Sequence, residues 1–93
     1  MTDIRWARMA LVDLDAIDTY HRRIDRRLAD RIGTQIIAAA AFLGEVPRSG
    51  PLDQGDRRRW RVGGTPYSLF YRVMPDHVSI LRVRHGARRP FAS

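Results

Sequence analysis

The chain has 93 residues, of which 44% are hydrophobic, and a net charge of +7. That length and apolar content suffice for one buried core and argue against disorder. The lack of cysteine excludes disulfides and thiolate metal sites and predicts a reducing, cytoplasmic compartment. The first residues carry no apolar core of signal-peptide length. The longest apolar run, residues 36–43, is far too short to cross a bilayer, so no membrane association is expected.

The alternation Ile4-Arg5-Trp6 predicts a brief strand over residues 3–7. Ala10, Leu14, Ile17 and Tyr20 or His21 then recur at spacings of three and four, which predicts a helix over 8–22. Asp13, Asp15 and Asp18 fall between them and read as its solvated face. The cluster from Arg22 to Arg27 reads as a polar joint. A second helix is expected over 25–44, with Leu28, Ile32, Gln35 or Ile36, Ala39 and Leu43 as its stripe. Gly33 interrupts it, and a close approach to the first helix would account for that glycine. Gly44 and Pro47 mark its end.

Residues 47–56 are rich in Pro, Gly and Asp and predict a loop. Three strands follow, over 57–63, 66–73 and 78–85. In the first, Trp60 and Val62 share one face and Arg59 and Arg61 the other. In the second, Tyr67, Leu69, Tyr71 and Val73 share a face. The third places Val78 and Ile80 on one face and Leu81 and Val83 on the other, so it is expected to lie inside the sheet. Residues 86–93 carry no periodic signal and read as a tail. Helices grouped early and a meander grouped late predict an α+β domain. A short first strand and an antiparallel helical hairpin would pack on one face of an antiparallel sheet that ends in a three-stranded meander.

Charge is distributed unevenly. Residues 1–46 hold seven arginines against seven acids, and residues 47–93 hold ten arginines against three. The strand half therefore carries the whole excess and favours an anionic partner. Every basic residue is an arginine, a side chain that grips phosphate or carboxylate with two parallel bonds. Arg59 and Arg61, with Arg82, Arg84, Arg88 and Arg89, are the candidate contacts.

Catalytic patterns are sparse. His21, His77 and His85 have no metal-ligand spacing, so no metal and no cofactor is expected. No serine elbow or phosphate-cradling glycine loop is present. His85, at a strand end among arginines, is the one candidate acid or base.

Four segments carry a resemblance. They are Ala10-Leu11-Val12-Asp13-Leu14-Asp15-Ala16-Ile17, then Pro47-Arg48-Ser49-Gly50, then the run from Thr65 to Val73, and finally the run from Ile80 to Arg88. In this order and spacing the chain resembles the ParE branch of the RelE/ParE toxin superfamily, from bacterial type II toxin–antitoxin systems. That resemblance implies a growth-inhibiting, plasmid-stabilising toxin that binds DNA gyrase and is neutralised by the acidic or amphipathic C-terminal segment of a cognate antitoxin. Contact with operator DNA would then be indirect, through the antitoxin. RelE-like relatives instead cut mRNA on the ribosome. For that alternative the resemblance nominates Arg59, Arg61, His85 and Arg88. The position of an expected intervening arginine is Ser68, and the late aromatic is Phe91, which lacks a hydroxyl. The ending Arg84-His85-Gly86-Ala87-Arg88 looks like the ParE branch. A non-toxic relative that only binds its antitoxin is the remaining alternative.

Overall fold

The computed structural model describes residues 2–86. In chain order it contains β1 (Asp3–Trp6), α1 (Arg8–Arg22), α2 (Arg26–Glu45), β2 (Leu52–Gln54), β3 (Arg57–Arg61), β4 (Tyr67–Val73) and β5 (His77–His85). The fold is the expected α+β arrangement, a helical hairpin on one face of a five-stranded sheet in the order β1-β5-β4-β3-β2. Residues 87–93, and with them Arg88, Arg89 and Phe91, lie outside the described residues.

The helices follow from their stripes. Ala10 of α1 is buried, with Leu14 and Ile17 packed against the core, while His21 rather than Tyr20 completes the inward face. On α2 the buried residues are Ala29, Ile32, Ile36, Ala40, Leu43 and Gly44. Asp25 caps α2, its carboxylate accepting from the amides of Arg27 (3.0 Å) and Leu28 (3.3 Å). Gly44 is a packing residue as much as a stop signal. A Cβ there would stand 2.7 Å from the Thr2 carbonyl oxygen, and the same stretch of backbone receives the Thr2 amide at 2.8 Å.

Gly33 departs from expectation. A Cβ at this position would meet nothing within 4 Å, so no close helix approach explains the glycine. Gly33→Ala is therefore expected to stabilise the protein by about 0.5–1 kcal/mol through helix propensity alone. Chemical denaturation would read this as a higher midpoint at unchanged slope.

The sheet differs from a purely antiparallel one in a single pair. β3, β4 and β5 form the expected antiparallel meander, but β1 runs parallel to β5, pairing Ile4 with Val78 and Trp6 with Ile80. A parallel pair needs a long crossover, and the helical hairpin with the first strands of the meander supplies it. The expected loop over 47–56 also contains a strand. β2 pairs with β3 through a two-residue connection, Gly55-Asp56, and Gly55 takes a φ of 59° at the first of those positions.

β5 does lie inside the sheet, between β1 and β4, but its two-faced apolar pattern has another cause. Tyr71 stands opposite Ile80 and Phe70 opposite Arg82, which leaves Leu81 as an extra residue. This β-bulge restarts the alternation one residue later. Val78, Ile80 and Val83 thereby all join the same core.

One hydroxyl ties the loop after α2 to that core through two hydrogen bonds. The Tyr71 hydroxyl donates to the Pro47 carbonyl (2.7 Å) and accepts from the Gly50 amide (2.9 Å), and the residue is fully buried. Burial pushes the hydroxyl's pKa above its ordinary value. Because the folded value lies above the unfolded one, the stabilisation is complete below pH 10 and is lost as pH rises through the raised folded value. Tyr71→Phe is expected to cost about 2 kcal/mol at neutral pH by stranding the buried Gly50 amide and the part-buried Pro47 carbonyl. It should also flatten the fall in stability above about pH 10, which denaturation curves below and above that pH would read.

Candidate functional site

Cross-strand register sorts the arginines. The rows Arg57–Arg72–Ser79–Arg5, Arg59–Phe70–Arg82 and Arg61–Ser68–Arg84 stand on the sheet face opposite the helices. The intervening rows carry Trp60, Leu69 and Val83, or Arg58, Tyr71 and Ile80, toward the helices. The separation expected for Trp60 and Val62 against Arg59 and Arg61 is therefore present. Arg58, on the helix side, is consumed in structure: its Nη1 donates to the Gly50 carbonyl at 2.7 Å.

Four of the seven arginines in those rows have a carboxylate partner. Arg57 pairs with Asp53, over the Phe70 ring at 5.4 Å, and Arg72 pairs with Asp56 at 2.8 Å. Arg5 approaches Asp76 at 3.7 Å. Arg82 bonds Asp13 of α1 through Nε (2.8 Å) and Nη2 (3.2 Å), and the same carboxylate accepts the Val83 amide at 2.9 Å. The carboxylate raises the pKa of the Arg82 guanidinium. Asp13 is therefore not part of a solvated acidic face, unlike the exposed Asp15.

Arg59, Arg61 and Arg84 remain. Among the described residues none of them has a carboxylate within ion-pair distance, and they cluster at one corner of the sheet. Ser68, between Arg61 and Arg84, is buried. Of the expected contact residues, Arg59, Arg61 and Arg84 are thus together, Arg82 is committed to α1, and Arg88 and Arg89 lie outside the described residues.

His85 stands elsewhere. Its register partner is Tyr67, and its ring packs edge-on against Tyr67 at 5.7 Å. The Tyr67 hydroxyl in turn lies 2.8 Å from His21 Nε2 on α1. These groups line a cavity of about 470 Å³ between α1 and the end of the sheet, with Ala16, Ile17 and Tyr20 on the helix side. The histidine nominated as acid or base therefore belongs to the helix side, while Arg59 and Arg61, nominated with it, stand on the opposite face and Arg88 lies outside the described residues. No group of three or more potential metal ligands occurs among the described residues.

A second, shallower groove of about 530 Å³ runs along the outside of the hairpin. Asp18, Arg22 and Asp30 edge it, and Gly33, Ile37 and Ala41 form its floor. Those three charges form their own network, with Arg22 bonded to Asp18 at 2.7 Å and to Asp30 at 2.8 Å. The Asp18–Arg22 pair is an i,i+4 spacing within α1, whereas the Arg22–Asp30 and His21–Tyr67 contacts join residues from different elements and leave no local signal. Periodicity did signal that His21 or Tyr20 faced inward. The strand aromatics Tyr67, Tyr71 and Trp60 pack inward: the two tyrosines are buried, and Trp60 stacks on Phe42 at 5.2 Å.

Comparison with known proteins gives consistent matches. A family model described as the ParE toxin of the type II toxin–antitoxin system parDE matches residues 4–90. The chain is 35% identical over 88 residues to the protein named toxin RelE2 of Caulobacter vibrioides, covering 95% of this chain and 99% of that one. It is 37% identical over 84 residues to the putative toxin Y4kP of Sinorhizobium fredii, covering 89% and 86%. A solved structure described as the chromosomal ParDE TA system from P. aeruginosa superposes with a TM-score of 0.81 at 27% identity, over 91% of this chain and 96% of that one.

Proposed function

Because the chain belongs to the ParE toxin family of type II toxin–antitoxin systems, we propose that it inhibits DNA gyrase by binding, in the cytoplasm, and that a cognate antitoxin neutralises it. It acts as an inhibitor and not as a nuclease. One observation carries the choice: His85 lies with Tyr67 and His21 on the helix side, while Arg59 and Arg61 lie on the opposite face. RNA cleavage in this superfamily's manner needs a base, a charge stabiliser and an acid converging on one phosphate. Arginine stays protonated at neutral pH, so Arg59 and Arg61 supply charge without a base.

The antitoxin reading rests on chemistry. A basic sheet half favours an acidic segment, and the cavity between α1 and the sheet end has room for an apolar side chain from it. The name RelE2 on one relative keeps ribosome-dependent mRNA cleavage as the competing reading. Purified protein assayed for inhibition of gyrase supercoiling, beside a ribosome-programmed mRNA cleavage assay, separates the two. Inhibited supercoiling with intact mRNA is expected. Cleaved mRNA with unaffected gyrase would overturn the proposal, and normal growth of cells expressing the chain would favour a relative that only binds its antitoxin.

A further inference from the structure

We propose that the corner of the outer sheet face formed by Arg59, Arg61 and Arg84 binds the phosphate backbone of duplex DNA directly. The choice of DNA over RNA rests on the gyrase reading, since gyrase presents its inhibitor with DNA; the anion site itself rests on the geometry.

Strand spacing sets the scale of the site. Arg59 and Arg61 are two residues apart on β3, about 6.6 Å along the strand. Arg61 and Arg84 flank β4 in one row, about 10 Å apart. Over about 10 Å of axis, duplex DNA presents about six phosphate charges, of which about three face any one side. An extended acidic peptide places side chains on one side only every second residue, giving about two carboxylates over the same span. Three guanidinium groups at this spacing therefore match the charge density of a duplex better than that of a peptide strand.

The surrounding ion pairs sharpen the point. On the same face Arg57, Arg72 and Arg82 are held by Asp53, Asp56 and Asp13, so acids neutralise the rest of the sheet and leave this corner positive. Arg59 and Arg61 are exposed and Arg84 is half-buried. Guanidinium also pairs with phosphate through two parallel bonds. Such contacts position the protein without reading base sequence.

The test uses fluorescence anisotropy with a labelled 20-bp duplex of arbitrary sequence at 50–200 mM salt. Three phosphate contacts predict a slope of about −2.7 in log affinity against log salt, hence about a 40-fold loss across that range. The triple variant Arg59→Gln, Arg61→Gln, Arg84→Gln should lose at least about tenfold in affinity at 50 mM salt and most of the slope, with its melting temperature near that of the parent. A control with equal loss of charge, Arg23→Gln, Arg27→Gln, Arg31→Gln, removes exposed arginines of the helical hairpin and its joint and should bind like the parent. The proposal is overturned if the parent does not bind, if the sheet variant binds as the parent does, or if the helix variant loses as much. Tighter binding to a single-stranded RNA of equal length overturns it as well. Supercoiling inhibition on the same preparations keeps the two readings apart. A chain that inhibits gyrase without binding the duplex contradicts the DNA contact alone, and one that binds the duplex through these arginines but spares gyrase contradicts the gyrase reading alone.

Discussion

Replacing Asp13 by alanine is expected to lower stability by about 3 kcal/mol. The reason lies at the edge of β5. β1 pairs with β5 only as far as Ile80, after which α1 takes over, beginning where the Ala7 amide meets the Ile80 carbonyl at 2.9 Å. The Val83 amide beyond that point has no strand partner on this side, and Asp13 accepts it while also holding the Arg82 guanidinium. Only 13% of the Asp13 side chain and 24% of the Arg82 side chain are exposed, so alanine strands a donor and a cation that water reaches poorly. A fully buried pair broken on one side costs about 3–5 kcal/mol, and partial exposure places this one near the lower end. Asp13→Asn should recover roughly half of the loss, since the amide oxygen still accepts from Val83. Urea denaturation would show a lower midpoint at unchanged slope, and a loss below about 0.5 kcal/mol for alanine would refute this role.

Gly50→Ala is the second large effect. A Cβ here would press into the Arg59 carbonyl oxygen and stand 2.8 Å from the Tyr71 hydroxyl. The first of these is backbone and cannot swing aside. Either β3 separates from the loop or the bonds from Gly50 to Tyr71 and from Arg58 to Gly50 break. The expected cost is about 3 kcal/mol, combining overpacking with a stranded buried amide. For a chain of this size that is a large part of the total stability, about 5–14 kcal/mol. Thermal unfolding should show a midpoint lower by about 12–24 °C. A melting temperature within about 3 °C of the parent's would mean that the loop is not clamped as described.

Much of the fold was legible because it is local. Helical spacing placed α1 at its observed bounds and α2 within a residue, and turn chemistry separated β3, β4 and β5. What stayed hidden depends on partners distant in sequence. Leu81 reads as a core residue of a second face until the pairing with β4 shows it to be a bulge. β2 has three exposed residues and hence no hydrophobic pattern, although its Gly55-Asp56 turn was a usable signal. Asp13 looked like one of three solvated acids, because nothing near it in sequence reveals the bare edge of β5. The candidate site was half legible. Alternation set Arg59 and Arg61 apart from Trp60, but the neutralisation of Arg57, Arg72 and Arg82, which isolates Arg84 with them, needed the fold.

The toxin is proposed to act on gyrase and not on RNA. Gyrase, ATP and plasmid incubated with the purified chain, then treated with denaturant and protease, would expose any DNA held in the cleaved state. Linear plasmid is expected to accumulate with toxin concentration and only when gyrase is present. Plasmid that stays intact and normally supercoiled, while ribosome-bound mRNA in a parallel reaction is cut, would contradict it.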